Sequence, residues 1–391
     1  MVTKQKEMPI LFGTCMLCVL SLCVGLAYGK NCVPVATCKF YTSTDMRCDS
    51  PTAKYLPNIT SYELEILKVN YPILKEIPDY FFQRFGKLKS LRFFWGNFRQ
   101  LSKYSLSGLS NLTTLVIKFS QLRVLHLKTF TNLTQLEYLA LQVNKLEIIP
   151  KEAFSNLHYL SSLHLSGNNI NYIDLIMPED SVLKYFYLNH NAIQTISRST
   201  FENLSHLKYV HLEYNLIGSL PHGILENTKV HSFTLSNNKI KKLERETFRQ
   251  ATYLQFVDLS TNLIKSIEPM TFRDLFLDNN KVTILKNNTF YRLTNLIFLV
   301  LHENIITNIE QNAFHSLRSF RTLYLQNNLI KSINRGVLNQ LGNMSTLRLS
   351  HNNIGMLEYG TFEGCKSLTN LYLDNNIITR IDAHAFAPFR G

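Results

Sequence analysis

The sequence predicts an α/β solenoid of about fourteen stacked turns. A parallel sheet would line its concave side, with irregular or short helical segments along the convex side. Three observations predict it. A pattern of about 24 residues recurs fourteen times from Leu64 to the end, cleanest as LEYLALQVNKLEIIPKEAFSNL between Leu136 and Leu157. Its first positions fall near residues 64, 88, 112, 136, 160, 183, 207, 230, 254, 272, 296, 320, 344 and 368. Within each copy the spacing L-x-x-L-x-L-x-x-N-x-L is that of a unit that cannot bury its apolar face alone and must stack on copies of itself.

The chain opens with MVTKQKEMPILFGTCMLCVLSLCVGLAYG, two early lysines followed by an apolar run from Ile10 to Leu26. Small residues Ala27 and Gly29 stand where a signal peptidase reads, so residues 1–29 are expected to be a secretory leader cleaved after Gly29. A retained anchor is the competing reading, and a run of about 17 residues is short for it. Cys15, Cys18 and Cys23 leave with the leader, whereas Cys32, Cys38, Cys48 and Cys365 stay. Three of these cluster in residues 30–60, where a cysteine staple would cover the open apolar end of the first turn.

Residues 61–391 carry the repeats. The segment L-x-x-L-x-L alternates apolar and polar with period two, as a short strand does. Asparagine follows each strand from Asn144, Asn168, Asn191 and Asn215 through to Asn376, placed to satisfy backbone groups of the tight bend there. A second ladder, Phe82, Phe130, Phe154, Phe201, Phe248, Phe272, Phe290, Phe314, Phe362 and Phe386, with Leu106, Leu225 and Leu338 in the same position, reads as a convex packing spine.

Departures from the pattern are local. Pro72, Gly96 and Ser120 replace the asparagine in the first three repeats, which are expected to be less regular. Repeat five carries DLIMPEDSV at residues 174–182 in place of its phenylalanine segment. In SIEPMTFRDLFLDNN, repeat nine is compressed to about 18 residues, so Leu275 closes one repeat and opens the next strand, and the arc should flatten or kink there. The last repeat ends in AHAFAPFRG without a cysteine cap, which leaves parts of Phe386 and Phe389 open. A fragment or isoform explains this, as does a partner packed on that end.

Six N-x-S/T sequons, at Asn58, Asn111, Asn132, Asn203, Asn287 and Asn343, fit an exported glycoprotein. None falls on a strand position. Loss of Lys4, Lys6 and Glu7 brings the formal charge of +13 to near +12, spread without a basic run. In this compartment such charge points to sulfated glycans, acidic proteins or lipid headgroups, or to a merely solvated surface, and no nucleic acid is expected.

The residues that face outward from the strands are the binding candidates. Toward the N-terminus they include Lys68, Tyr71, Lys89, Arg92, Phe94, Trp95, Lys118 and Phe119, basic and aromatic together. In the middle stand His164, Tyr185, Tyr187, His190, Tyr209, His211, Tyr214 and His231. Tyrosine, tryptophan and arginine bury much area at small entropic cost and dominate protein-binding hot spots. The four histidines, His164, His190, His211 and His231, make pH-dependent binding between pH 5 and 6 an expectation. Catalysis has no support, because no nucleophile elbow, HExxH or phosphate loop occurs, and neither a metal site nor a cofactor is expected.

On these motifs the chain resembles the extracellular leucine-rich repeat family of the typical 24-residue class, over roughly residues 31–391. That family includes Toll-type receptor ectodomains, chaoptin-like adhesion proteins, insect leucine-rich immune proteins and the acid-labile-subunit type of serum carrier. The resemblance implies a horseshoe that binds a macromolecular, mainly protein, ligand on its concave face, in innate immunity or receptor-like recognition. Its other implication is a matrix or cell-adhesion component that holds sulfated glycans. Caps of the family read C-x3-C-x-C plus a fourth cysteine, and here Phe40 stands where the third would be. Carried over, this implies a Cys38–Cys48 bridge and an unpaired Cys32, so that a dimer would form through Cys32 or through the open C-terminal end. Cys365 falls on a leucine position and reads as a small buried hydrophobe.

Overall fold

The computed structural model describes residues 37–49, 63–72, 74–244, 246–267, 273–291 and 293–389. The leader, Cys32, Asn58, Phe272 and the arc of the compressed repeat at residues 268–272 lie outside the described residues. One sheet runs through every repeat. A hairpin of Thr37–Phe40 and Asp45–Asp49 begins it antiparallel, and fourteen parallel strands follow in chain order, from Ile66–Asn70 to Asn370–Tyr372. Each strand exists because alternate residues point inward. In repeat six Leu183, Phe186 and Leu188 are buried while Tyr185 and Tyr187 face the other way. The inward residues of all turns join in a single apolar core.

The opposite side consists of turns and five two-residue parallel ladders, such as Tyr172–Ile173 with Thr195–Ile196. Among the described residues the helical component of the expected class reduces to two 3-10 turns, Arg198–Phe201 and Ala387–Phe389. The arcs are too short for more. Ala153 N–H bonds to the Pro150 carbonyl and Leu157 N–H to the Phe154 carbonyl, three-residue closures between side chains already pinned in the core. Among the described residues the phenylalanine spine is buried from Phe82 to Phe362, with Phe130 on Phe154 and Phe290 on Phe314 at 5.8 Å between ring centroids. In repeat five Leu175 and Met177 fill the space of the absent ring, while Asp174 is held by Lys151 at 3.0 Å and Ser199 at 2.9 Å.

Each ladder asparagine does more than close its own bend. Asn215 Oδ1 accepts from the Ile193 N–H of the preceding repeat at 3.0 Å. Its amide donates to the carbonyls of Leu188, Leu212 and Glu213 at 3.0, 3.0 and 3.3 Å, the first of them again in the preceding repeat. The ladder therefore stitches turn to turn. It survives the compressed repeat, where Asn280 accepts from Ile264 N–H only 16 residues back and the strands Phe256–Asp258 and Asp274–Phe276 stay in register.

The first three repeats, expected to be less regular, keep the sheet intact. Their strands, Ile66–Asn70, Ser90–Phe94 and Thr114–Lys118, pair residue for residue over five positions. The reason is that the inter-strand bonds depend on the backbone and the inward residues. Ser120 takes over part of the asparagine's work by accepting from Gly96 N–H at 2.9 Å.

At the N-terminal end Cys38 and Cys48 form a disulfide. Met46 and Cys48 continue the inward columns over Leu67 and Val69 and close the first turn. Cys365 is buried in its leucine position, and that burial pushes its thiol up to about 12. In the last turn Leu371, Leu373 and Phe389 are only partly buried and Phe386 is 37% exposed.

Candidate binding face of the sheet

Strands one repeat apart place equivalent side chains side by side, about 4.8 Å from each other in a parallel ladder. The outward third, fifth and seventh positions of each repeat thus form three columns across the sheet, and this is the open face. Of the candidates, Tyr185 and Tyr209 stand in the first column, Arg92, His164, Tyr187 and His211 in the second, and Lys118 in the third. Trp95, His190 and Tyr214 stand elsewhere. They occupy the eighth position, at the rim where the chain turns down, and have φ of 56°, 54° and 54°.

All fourteen residues at that eighth position, from Tyr71 to Asn375, adopt left-handed backbone, with φ between 48° and 67°. Asparagine and glycine accept this readily, whereas a bulky side chain costs about 1–2 kcal/mol. Tyr71, Trp95 and Phe119 nevertheless hold consecutive rim positions, stacked at 4.9 and 5.5 Å and about half exposed. Inside this rim Lys68 lies over the Phe94 ring at 5.3 Å, and burial together with the Arg92 charge lowers the Lys118 ammonium.

The centre of the face is a run of rings, three in the second column and Tyr138 reaching the first of them diagonally from the first column. Tyr138, His164, Tyr187 and His211 follow one another at centroid distances of 4.8, 4.3 and 4.8 Å. Tyr185 lies flat on Tyr209 at 5.3 Å. His211 pairs with Glu213 at 2.8 Å. Burial works to raise the Glu213 carboxyl, yet hydrogen bonds from His211 and Thr234 outweigh it and hold the group below its ordinary range.

His164 corrects the expectation of a four-histidine switch. Its burial, then the charges of Lys118 and His211, push the ring down to about 4, so it stays neutral where the expectation required charge. His190 sits on the rim against Tyr214, and His231 bonds the Lys229 carbonyl at the flank. The neutral folded ring has a consequence for stability. An unfolded histidine takes up a proton below about pH 6.5, and the folded one refuses it until about pH 4. The stabilisation is thus complete above pH 6.5 and is lost as pH falls toward 4. Between pH 7 and 4.5 the wild type should lose about 1–2 kcal/mol more than His164→Gln, a figure discounted for the half-open ring. Parallel urea titrations at the two pH values test this, and equal losses in both proteins would refute it.

Ser162 Oγ lies 2.7 Å from His164 Nε2, but among the described residues no carboxylate is hydrogen-bonded to the ring, which is packed between Tyr138 and Tyr187. Among the described residues no three histidine, cysteine or acidic side chains converge to hold a metal ion. The sequons Asn111, Asn132, Asn203, Asn287 and Asn343 are exposed and off the strands, so glycans there would leave the open face bare.

Several residues of the face were missed from sequence. Tyr138 packs on His164 from the first column, Phe256, Phe276 and Phe298 form a second aromatic group with Asp258, Asp274 and Asp278, and Arg348 lies between Tyr324 and Tyr372. Reading the third, fifth and seventh positions along all fourteen repeats would have found them. One further feature belongs to this face alone. Among the described residues, seven buried side-chain atoms lack a hydrogen-bond partner in the chain. They are Arg47 Nε, Asn70 Oδ1, Gln142 Oε1, Glu213 Oε2, His302 Nδ1, Gln326 Oε1 and Arg348 Nε; six stand at the fifth or seventh position of a repeat and Arg47 in register with the fifth, while Arg47 Nε and His302 Nδ1 lie 3.5 and 3.8 Å from the carboxylates of Asp49 and Glu303.

The leucine rich repeat family model matches residues 110–170 and then, in overlapping stretches, 181–391. Among curated proteins none is significantly similar in sequence. The fold is shared with the leucine-rich repeat domain of APL1 at TM-score 0.63 and 18% identity, over 88% of this chain and 90% of that one. The Leptospira interrogans protein LIC12759 aligns at TM-score 0.61 and 22% identity, over 87% and 80%. Drosophila Toll, solved in complex with Spatzle, aligns at TM-score 0.61 and 18% identity over 90% of this chain, which spans 52% of the Toll chain.

Proposed function

We propose that this chain, which belongs to the leucine rich repeat family, is an extracellular recognition protein that binds a protein ligand on the open face of its sheet. The observation that carries this reading is the set of seven buried polar atoms that make no hydrogen bond in the chain, most of them without a charged neighbour and left for water or a ligand to satisfy. Every one lies on the same face, and buried polar groups ordinarily find partners. The run of rings at its centre supplies the rigid aromatic area on which protein contacts concentrate. Toll with Spatzle, and the plant receptor RGFR1 with its peptide hormone RGF2, show this scaffold in complex with polypeptide ligands. A receptor-like role, with innate immunity its first form, follows that precedent.

Export is part of the same reading: a leader over residues 1–29, a cap over 30–60 and repeats over 61–391. The Cys38–Cys48 disulfide and the exposed sequons support it. Among the described residues no helix is long and apolar enough to cross a membrane.

The test uses the secreted chain and its Tyr187→Ala/Tyr209→Ala variant as baits in extracellular fluid of the source organism. A protein partner bound at nanomolar affinity by the wild type should bind the variant about 100-fold or more weakly, with little dependence on salt. Equal binding by both would sink the open-face reading. The second reading, a sulfated glycan held along Arg47, Lys68, Arg92 and Lys118, rests on the alignment of the first three on adjacent strands, with Lys118 on the next strand two residues further along. Retention on heparin well above physiological salt would favour it.

A further inference from the structure

The strand Asp274–Phe276 carries a carboxylate on the open face. Among the described residues no hydrogen bond or ion pair reaches the Asp274 side chain, although it is half-buried on the open face. Phe256 and Phe298 flank it on the neighbouring strands in the same column, and Phe276 follows it on its own strand. The three rings lean on one another, Phe276 at 5.1 Å from Phe256 and 5.4 Å from Phe298, tilted by 42° and 49°. Burial among them raises the Asp274 carboxyl, against a smaller opposing pull from Arg273.

Two more carboxylates, Asp258 and Asp278, stand in the adjoining columns. Asp258 is occupied by the hydroxyl and amide of Ser260, and Asp278 by Asn279, with His302 4.0 Å away. A carboxylate walled by aromatic faces and backed by further negative charge suits a cation that is at once attracted and stacked. The same face already holds one such group. The Arg348 guanidinium lies 4.8 Å from the ring centres of both Tyr324 and Tyr372. At Asp274 the rings and the carboxylate are in place, the neighbouring Arg273 exerts only the smaller pull, and among the described residues no cation lies over the three rings.

We propose that Asp274, with Phe256, Phe276 and Phe298, forms a subsite for an arginine or lysine side chain of the protein ligand. This rests on the open-face reading above and narrows it: the ligand presents a basic residue three strands beyond the contact at Tyr209. The carboxylate gives the charge preference, and the rings favour a weakly hydrated, planar guanidinium over a bare ammonium.

The experiment titrates the chain, 13C-labelled at its phenylalanine rings, with acetyl-Gly-Arg-Gly-amide and with the citrulline peptide of the same shape and no charge. Asp274→Asn and Phe276→Leu variants run in parallel, and thermal melts confirm that both fold. The arginine peptide should shift resonances that disappear in Phe276→Leu and should bind about tenfold more tightly than the citrulline peptide. Asp274→Asn should reduce arginine binding to the citrulline level. Equal binding of the two peptides, no binding of either, or an unchanged preference in Asp274→Asn overturns the subsite. Tyr187 and Tyr209 lie three or four strands away, so their double variant judges the face independently of this outcome.

Discussion

Asn215→Leu should destabilise the protein by about 3–5 kcal/mol, one of the largest single-residue effects available in this fold. The side chain would still fit, but the Ile193 N–H and the carbonyls of Leu188, Leu212 and Glu213 would lose their side-chain partner. Each buried polar group left unpaired costs about 1–3 kcal/mol, and local relaxation recovers part of it. Stability in a solenoid is carried by interfaces between neighbouring turns, and Asn215 bonds across the one between repeats six and seven. Hydrogen exchange should therefore accelerate in both repeats six and seven. Asn376→Leu makes the informative control. It removes the same bonds, with Ile354 N–H at 3.1 Å and the Leu349 and Leu373 carbonyls at 2.9 Å, in a partly exposed turn where water can replace them. Its cost should be about half. If urea unfolding gives equal losses for the two, burial is not what makes the ladder matter.

Phe314→Ala should cost about 3–5 kcal/mol, by removal of a fully buried ring and creation of a cavity that the pinned arcs cannot collapse into. Phe314 lies flat on Phe290 at 5.8 Å, with the planes 1° apart, and neither ring is exposed. Phe386 occupies the same repeat position over Phe362 at 5.7 Å, yet it is 37% exposed in the last turn. Phe386→Ala should cost about 1 kcal/mol for that reason. Calorimetric or urea comparison of the two variants separates packing from sequence position. A loss below about 1 kcal/mol at Phe314 would mean that the spine fills space without holding the arc.

Much of the architecture was legible because its causes are local and repeat. Alternation at Leu183, Phe186 and Leu188 predicts a strand, and the recurrence of that alternation predicts that each strand meets its own copy. The compressed repeat was visible as a short spacing before Leu275. Its harmlessness to the sheet was not, since that depends on Asn280 reaching a repeat displaced by six residues from the regular step. The first three repeats do differ from the rest, with strands of five residues against three and no ladder asparagine, yet the sheet runs on through them. Asparagine is one of several ways to satisfy the bend, and Ser120 is another.

The candidate site was legible as a surface and only partly as a set of neighbours. Tyr187 and His211 were chosen for residue type and position, and the structure stacks them. Trp95, His190 and Tyr214 were chosen the same way, and the left-handed turn carries them to the rim. His164 looked like its fellow histidines until its neighbours were known. Asp274 looked like any acidic strand residue until Phe256 and Phe298 appeared beside it.

By itself the sequence determined the turn, the spacing and the inward residues, because those follow from the alternation of apolar and polar groups along a few consecutive positions. Only the tertiary structure decided which outward side chains touch, which are dry and which are left without a partner. On a parallel sheet the nearest neighbour of a side chain stands a whole repeat away along the chain. Hydration and charge are set by that neighbour, and the distance along the chain to it varies from 18 to 24 residues at Asp274 alone.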